Sequence, residues 1–227
     1  MRQALKLPPG RVALLLVDLQ EEHRHVPHYL VPDYDRVLAN AGTLLAAARG
    51  AGVPVLHAAY VRDFARRPPR PLEWRQPDGK AGFSDKADPL TALCPEVAPL
   101  PGEPVIEKND ASAFCEGDLE PALRALGTEW LALCGVWTEA CVAATVRDAI
   151  ARGFRVLLVK DACGSGTAAM HQTGILNLAN RLNGGAVADT ATACRLLAGE
   201  SAEAWVAGRP VPLLYDWADV ERLYAEL

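Results

Sequence analysis

Residues 129–153 read Glu-Trp-Leu-Ala-Leu-Cys134-Gly-Val-Trp-Thr-Glu-Ala-Cys141-Val-Ala-Ala-Thr-Val-Arg-Asp-Ala-Ile-Ala-Arg-Gly153. The first part, Glu129–Cys134, is short and apolar on both faces, the pattern of a strand buried inside a parallel sheet. The second part, Glu139–Arg152, changes period: Val142, Val146, Ala149 and Ile150 share one helical face, and Gly153 supplies a stop. A strand feeding directly into a helix is the building unit of an α/β domain.

The same alternation extends both ways along the chain. Strands are predicted at Arg11–Val17, Val53–Tyr60, Pro104–Glu107, Arg155–Lys160 and Gly185–Asp189. Helices are predicted at Asp33–Arg49, Glu120–Leu126, Ala168–Leu182 and Ala191–Leu197, the first with a stripe of Val37, Leu38, Ala41, Leu44, Leu45 and Ala48. The expected fold is a three-layer α-β-α sandwich around a mainly parallel, six-stranded sheet of Rossmann-like order. Residues 1–197 make the domain. Residues 198–227, with Trp205, Tyr215, Trp217 and a helix over Ala218–Leu227, form an extension that packs on the body or on a neighbouring subunit.

Composition narrows the classes of function. Half of the 227 residues are hydrophobic and 22% are charged, the balance of a globular chain rather than a disordered one. A net charge of −5 argues against nucleic acid as a partner. The early apolar run Val12–Val17 ends in Asp18 and is too short for a signal sequence or a membrane span, so no membrane partner and a cytoplasmic location are expected. The six cysteines show no C-x-x-C pairing and read as free thiols.

Ligands of open parallel sheets bind beyond the carboxyl ends of the strands. Three reactive side chains stand there: Asp18 after the first strand, Lys108 after the third and Cys141 after the fourth. With Thr138 as N-cap, Cys141 falls in the first helical turn, where the helix dipole and the Lys108 ammonium are predicted to lower its pKa. Asp18 could accept the thiol proton, and the N–H groups of Trp137 and Cys141 could hold an oxyanion. Singly, such residues are more often a turn aspartate, a solvated lysine and a packed cysteine. Their joint placement favours chemistry.

Asp18-Leu-Gln20, Lys108-Asn-Asp-Ala-Ser112-Ala-Phe114 and Gly135-Val136-Trp137-Thr138-Glu-Ala-Cys141-Val142 occur in that order. In these motifs the chain resembles the isochorismatase-like superfamily of cysteine hydrolases. The resemblance implies Asp18 as base, Lys108 as its electrostatic partner, Cys141 as nucleophile and a cis peptide at Val136–Trp137. Nicotinamidases of this superfamily carry an Asp-x-His metal site after the second strand. Here Tyr60-Val-Arg-Asp63-Phe-Ala65 has no histidine two past the aspartate, so no metal and no cofactor are expected. A cysteine at 141 points to amide or ureido chemistry rather than vinyl-ether cleavage. The branch of N-carbamoylsarcosine, ureidoacrylate and biuret amidohydrolases is the nearest in kind, which implies a homodimer or homotetramer. Gln20, His23, Phe83, Trp137 and Thr138 are the expected substrate contacts.

Other signals compete. Gly164-Ser-Gly166-Thr-Ala-Ala169, with Asp189 beyond it, imitates a dinucleotide fingerprint, but it sits at the fifth strand rather than the first and reads better as a tight turn at the pocket rim. It leaves a nucleotide-binding oxidoreductase as one alternative; a vinyl-ether hydrolase, and a silent oligomer with a redox-sensitive Cys141, are others. His23, His25 and His28 lack the spacing of a metal site, and His171 is expected at the surface. The proline-rich excursion 61–102 carries Arg62, Arg66, Arg67, Arg70 and Arg75; such charge runs are more often solvated, and the sharper reading places them at the pocket mouth, facing an anionic end of the substrate.

Overall fold

A computed structural model describes residues 1–227. In chain order the strands are β1 (Arg2–Leu5), β2 (Val12–Val17), β3 (Val55–Tyr60), β4 (Val105–Lys108), β5 (Trp130–Val136), β6 (Arg155–Gly164), β7 (Ala186–Ala188) and β8 (Ala202–Val206). The helices are α1 (Glu22–His25), α2 (Tyr34–Gly50), α3 (Leu119–Ala125), α4 (Ala143–Ala151), α5 (Ala168–Ala179), α6 (Thr190–Leu197) and α7 (Val220–Glu226).

The runs that are apolar on both faces become the middle of the sheet. Every residue of β2 and of β5 is buried, and the two strands pair in parallel from Val12–Trp130 to Val17–Gly135. Helices α2 and α6 form one flanking pair and α4 and α5 another. The sheet order is β1-β8-β7-β6-β5-β2-β3-β4, so the chain leaves β2 toward one edge and β5 toward the other. A crevice opens where the winding reverses. Here that is the carboxyl end of the β2–β5 pair.

Eight strands replace the six expected. The two additional ones, β1 and β8, pair antiparallel at one edge, Arg2 opposite Trp205. Strand β1 is Arg-Gln-Ala-Leu and mostly exposed, so it offers no apolar run to detect. Strand β8 has Ala202 and Ala204 buried with Glu203 exposed between them, the pattern of a strand covered on one face. The sheet thus runs beyond residue 197. From the same tail, α7 packs on α5, and the Tyr215 hydroxyl donates to Asn177 Oδ1 at 3.1 Å, while Trp217 stays 74% exposed. No helix is long and apolar enough to cross a membrane.

Two backbone features bring the strand ends together. Gly135 has φ +135°, and a Cβ there would lie 2.0 Å from the Val17 carbonyl oxygen, so only glycine lets β5 approach β2 this closely. Asp18 follows β2 in the left-handed region at φ +53°, which turns the chain sharply at the sheet edge.

The arginines of the excursion act as ties. Arg62 is buried and its Nη2 donates to Glu73 Oε2 at 2.7 Å. Arg67 reaches Asn109 Oδ1 at 3.1 Å and Glu116 Oε2 at 2.9 Å; Arg70 reaches Asp110 Oδ2 at 2.9 Å. The first tie braces the excursion internally; those of Arg67 and Arg70 fasten it to the loop after β4.

Candidate active site

Asp18, Lys108 and Cys141 meet. Lys108 is the last residue of β4 rather than the first beyond it, and it is wholly buried. Its Nζ lies 2.7 Å from Asp18 Oδ2, donates to Asp110 O at 3.1 Å and sits 4.5 Å from the centre of the Tyr60 ring. Burial works against the ammonium, but the Asp18 charge, with hydrogen bonding to Asp18 and Cys141, outweighs it and the net shift is upward. The Asp18 carboxylate is nearly as buried, and neither of its oxygens meets a donor in hydrogen-bond geometry. A buried carboxylate balanced by one ammonium and with lone pairs unused is placed to accept a proton.

The motif Ser112-Ala-Phe114 explains how Lys108 is held. Ser112 Oγ donates to Asp148 Oδ2 at 2.6 Å, the Ala113 N–H donates to Thr145 Oγ1 at 3.0 Å, and Phe114 stacks on Phe154. The loop after β4 is thereby locked to α4. That helix begins just past Cys141.

Cys141 follows a cis peptide between Val136 and Trp137 and lies in a single π-helical turn, Thr138–Val142, that leads into α4. Trp137, not Thr138, takes the N-cap position. Burial first, then the Asp18 carboxylate, pushes the Cys141 thiol well above its ordinary range, against the pull of Lys108. The expected lowering of this pKa is therefore corrected. A helix end contributes about 0.3–1 kcal/mol, less than desolvation can, and the Lys108 charge is already engaged by Asp18. The resting group is a thiol. Iodoacetamide labelling of Cys141 should keep rising past roughly pH 9, the ordinary cysteine range; a plateau reached at neutral pH would restore the resting thiolate.

Asp18 and Cys141 line a pocket of about 450 Å³, and Lys108 stands behind its wall, paired with Asp18. Of the expected substrate contacts, His23, Phe83 and Trp137 line it. The Trp137 Nε1–H donates to His23 Nδ1 at 3.3 Å, and burial lowers the His23 pKa. Phe83 packs at 5.0 Å from the Tyr60 ring and 5.7 Å from Tyr29.

Gln20 and Thr138 do not reach the pocket. Gln20 is fully buried, donating to Tyr60 O at 3.0 Å and Thr91 O at 2.7 Å and accepting from the Tyr60 N–H at 2.9 Å, so it ties the β2 exit to the end of β3. Thr138 Oγ1 donates to Gly164 O at 2.9 Å. Its one hydrogen being used, it accepts from His171 Nδ1 at 2.8 Å, which leaves His171 Nε2 to accept from the Tyr224 hydroxyl at 2.9 Å. His171 is thus a half-buried bridge from the π turn to α7 rather than a surface residue, and burial lowers its pKa to about 4.

The sequence reading also missed lining residues. Glu22, Tyr29, Tyr60, Ser84 and Asp110 all face the pocket. Tyr60 ends β3 and was open to the same strand-end rule that singled out Asp18. No arginine lines the pocket, so the expected arginine-rich mouth is corrected too: Arg62, Arg67 and Arg70 are engaged by acids and backbone. At the glycine turn, a Cβ on Gly166 would lie 2.8 Å from the Trp137 ring. The indole fills the place where a phosphate cradle would need to be open.

Residues 12–192 match the isochorismatase domain. The chain belongs to the isochorismatase family. It is 30% identical over 171 residues to the maleamate amidohydrolase of Pseudomonas putida, covering 73% of this chain and 78% of that one. It is 29% identical over 187 residues to the N-carbamoylsarcosine amidase of an Arthrobacter species, covering 76% and 66%. The crystal structure of an isochorismatase-family hydrolase from Chromobacterium violaceum superposes with a TM-score of 0.71 at 29% identity, covering 87% of this chain and 98% of that one. Fold and family agree with the resemblance carried by the three motifs.

Proposed function

We propose that this isochorismatase-family hydrolase cleaves the C–N bond of a small amide, ureido or carbamoyl compound. The observation that carries the reading is the convergence of the Cys141 thiol with the buried Asp18–Lys108 pair at one pocket. Named amidohydrolases among the relatives support the same chemistry.

Asp18 takes the thiol proton as Sγ attacks the carbonyl carbon, so no free thiolate accumulates. Trp137 and Cys141 N–H groups hold the resulting oxyanion. The C–N bond breaks as Asp18 returns the proton to the departing nitrogen. A water, deprotonated by Asp18, then attacks the thioester carbonyl, the C–S bond breaks to release the acid, and Asp18 returns the proton to Cys141 Sγ. Lys108 keeps its proton throughout and balances the carboxylate.

Ammonia release should appear with some member of a panel of carbamoyl amino acids, ureido acids, biuret-like compounds and aromatic amides. Isochorismate should remain uncleaved. A silent panel together with isochorismate turnover would replace this reading with vinyl-ether hydrolysis.

A further inference from the structure

The charges around the pocket do not cancel. Three carboxylates line it, Asp18, Glu22 and Asp110, and no lysine or arginine does. Asp18 is balanced by Lys108 at 2.7 Å and Asp110 by Arg70 at 2.9 Å. Glu22 has no cationic partner. It is only 5% exposed, and its carboxylate accepts from the Ser84 N–H at 3.0 Å and from the Ser84 hydroxyl. Two donors leave about half of the lone-pair sites of a carboxylate unused.

The surroundings of Glu22 are aromatic. Phe83 adjoins Ser84 in the chain, its ring lies 5.7 Å from Tyr29, and the Tyr29 hydroxyl donates to Gly82 O at 3.3 Å. Burial, then the charge of Glu22, raises the Tyr29 pKa, which places ring and carboxylate in each other's field. His23 next door does not supply the missing charge, because burial lowers its pKa. A buried carboxylate with aromatic faces beside it and no countercharge is the arrangement that a ligand cation completes.

Resting on the amide-hydrolysis reading, we propose that the enzyme selects substrates with a positively charged group, an ammonium or guanidinium, at the end away from the scissile bond, and that Glu22 recognises it. Ser84 holds the carboxylate in place, its left-handed backbone at φ +48° presenting N–H and hydroxyl to the same side chain. An anionic far end would meet Glu22 directly and is disfavoured. Glu22 is a specificity residue and takes no part in bond cleavage.

The test uses three amides of matched length, 5-aminopentanamide, hexanamide and adipamate, which differ in the charge of the far end. Calorimetric binding to Cys141→Ala avoids turnover, and ammonia release is followed with the unmodified enzyme. The ammonium amide should bind about 10-fold or more tighter than hexanamide, in line with a hydrogen bond to a charged group, and adipamate should bind weakest. Glu22→Gln should bring the ammonium-to-neutral ratio to within about 3-fold, chiefly by weakening binding of the ammonium amide. Equal binding of the three amides, a preference for adipamate, or a ratio unchanged by Glu22→Gln would overturn the proposal. A wild-type preference for the ammonium amide with no ammonia released from these amides or from any member of the wider panel would instead remove the amidohydrolase reading and leave cation recognition standing.

Discussion

Cys141→Ala is expected to lower turnover of the best amide substrate by about 10⁴-fold or more, since loss of a nucleophile removes the covalent route altogether. The fold should be untouched. Cys141 is half-buried at the pocket wall, so truncating it opens a little more of a space that already exists. Urea midpoints should agree within the effect of an ordinary surface change, about 0.5 kcal/mol. Substrate binding should survive, because the aromatic wall and Glu22 remain. Near-normal ammonia release by Cys141→Ala would dismiss the nucleophile. It would also dismiss the thioester, and a redox role for this thiol would become the better account.

The sequence made the middle of this molecule legible and its edges illegible, for a physical reason. Strands β2 and β5 are buried on both faces, and burial on both faces can be read from composition alone. Strand β1 is a strand only because Trp205, some two hundred residues away, pairs with Arg2. No local pattern encodes that. The same distinction holds at the site. Asp18, Lys108 and Cys141 were legible because each sits at a predicted strand end, where topology fixes position without any knowledge of contacts.

Residues whose meaning depends on a distant partner were misread or passed over. Gln20 looked like a substrate contact; its amide is in fact consumed by Tyr60 and Thr91. Glu22 gave no signal because Ser84, which fixes it, is 62 positions further along the chain. The arginines were assigned to the pocket by their charge, whereas Glu73, Glu116 and Asp110 occupy their guanidinium groups and no arginine lines it. The thiol pKa failed differently. A helix dipole is predictable from sequence, but desolvation depends on the packed structure, and in this pocket desolvation is the larger effect.

Lys108→Met should damage stability and catalysis together. Lys108 is fully buried and its ammonium is the only cation within ion-pair distance of Asp18. Methionine fills similar volume without charge, so the Asp18 carboxylate is left buried and uncompensated. Breaking a buried pair from one side costs about 3–5 kcal/mol, which would show as a large drop in the urea midpoint. The double variant Asp18→Asn/Lys108→Met removes both charges and should regain part of that loss, a non-additivity expected of groups in direct contact. At neutral pH the single variant should lose about 10²–10⁴-fold in kcat/KM, the range of general acid–base catalysis, since Asp18 must be ionised to receive the thiol proton. If Lys108→Met instead unfolded at the wild-type urea concentration and kept the wild-type kcat/KM, Lys108 would be a filler of space. Asp18 would then act without an electrostatic partner.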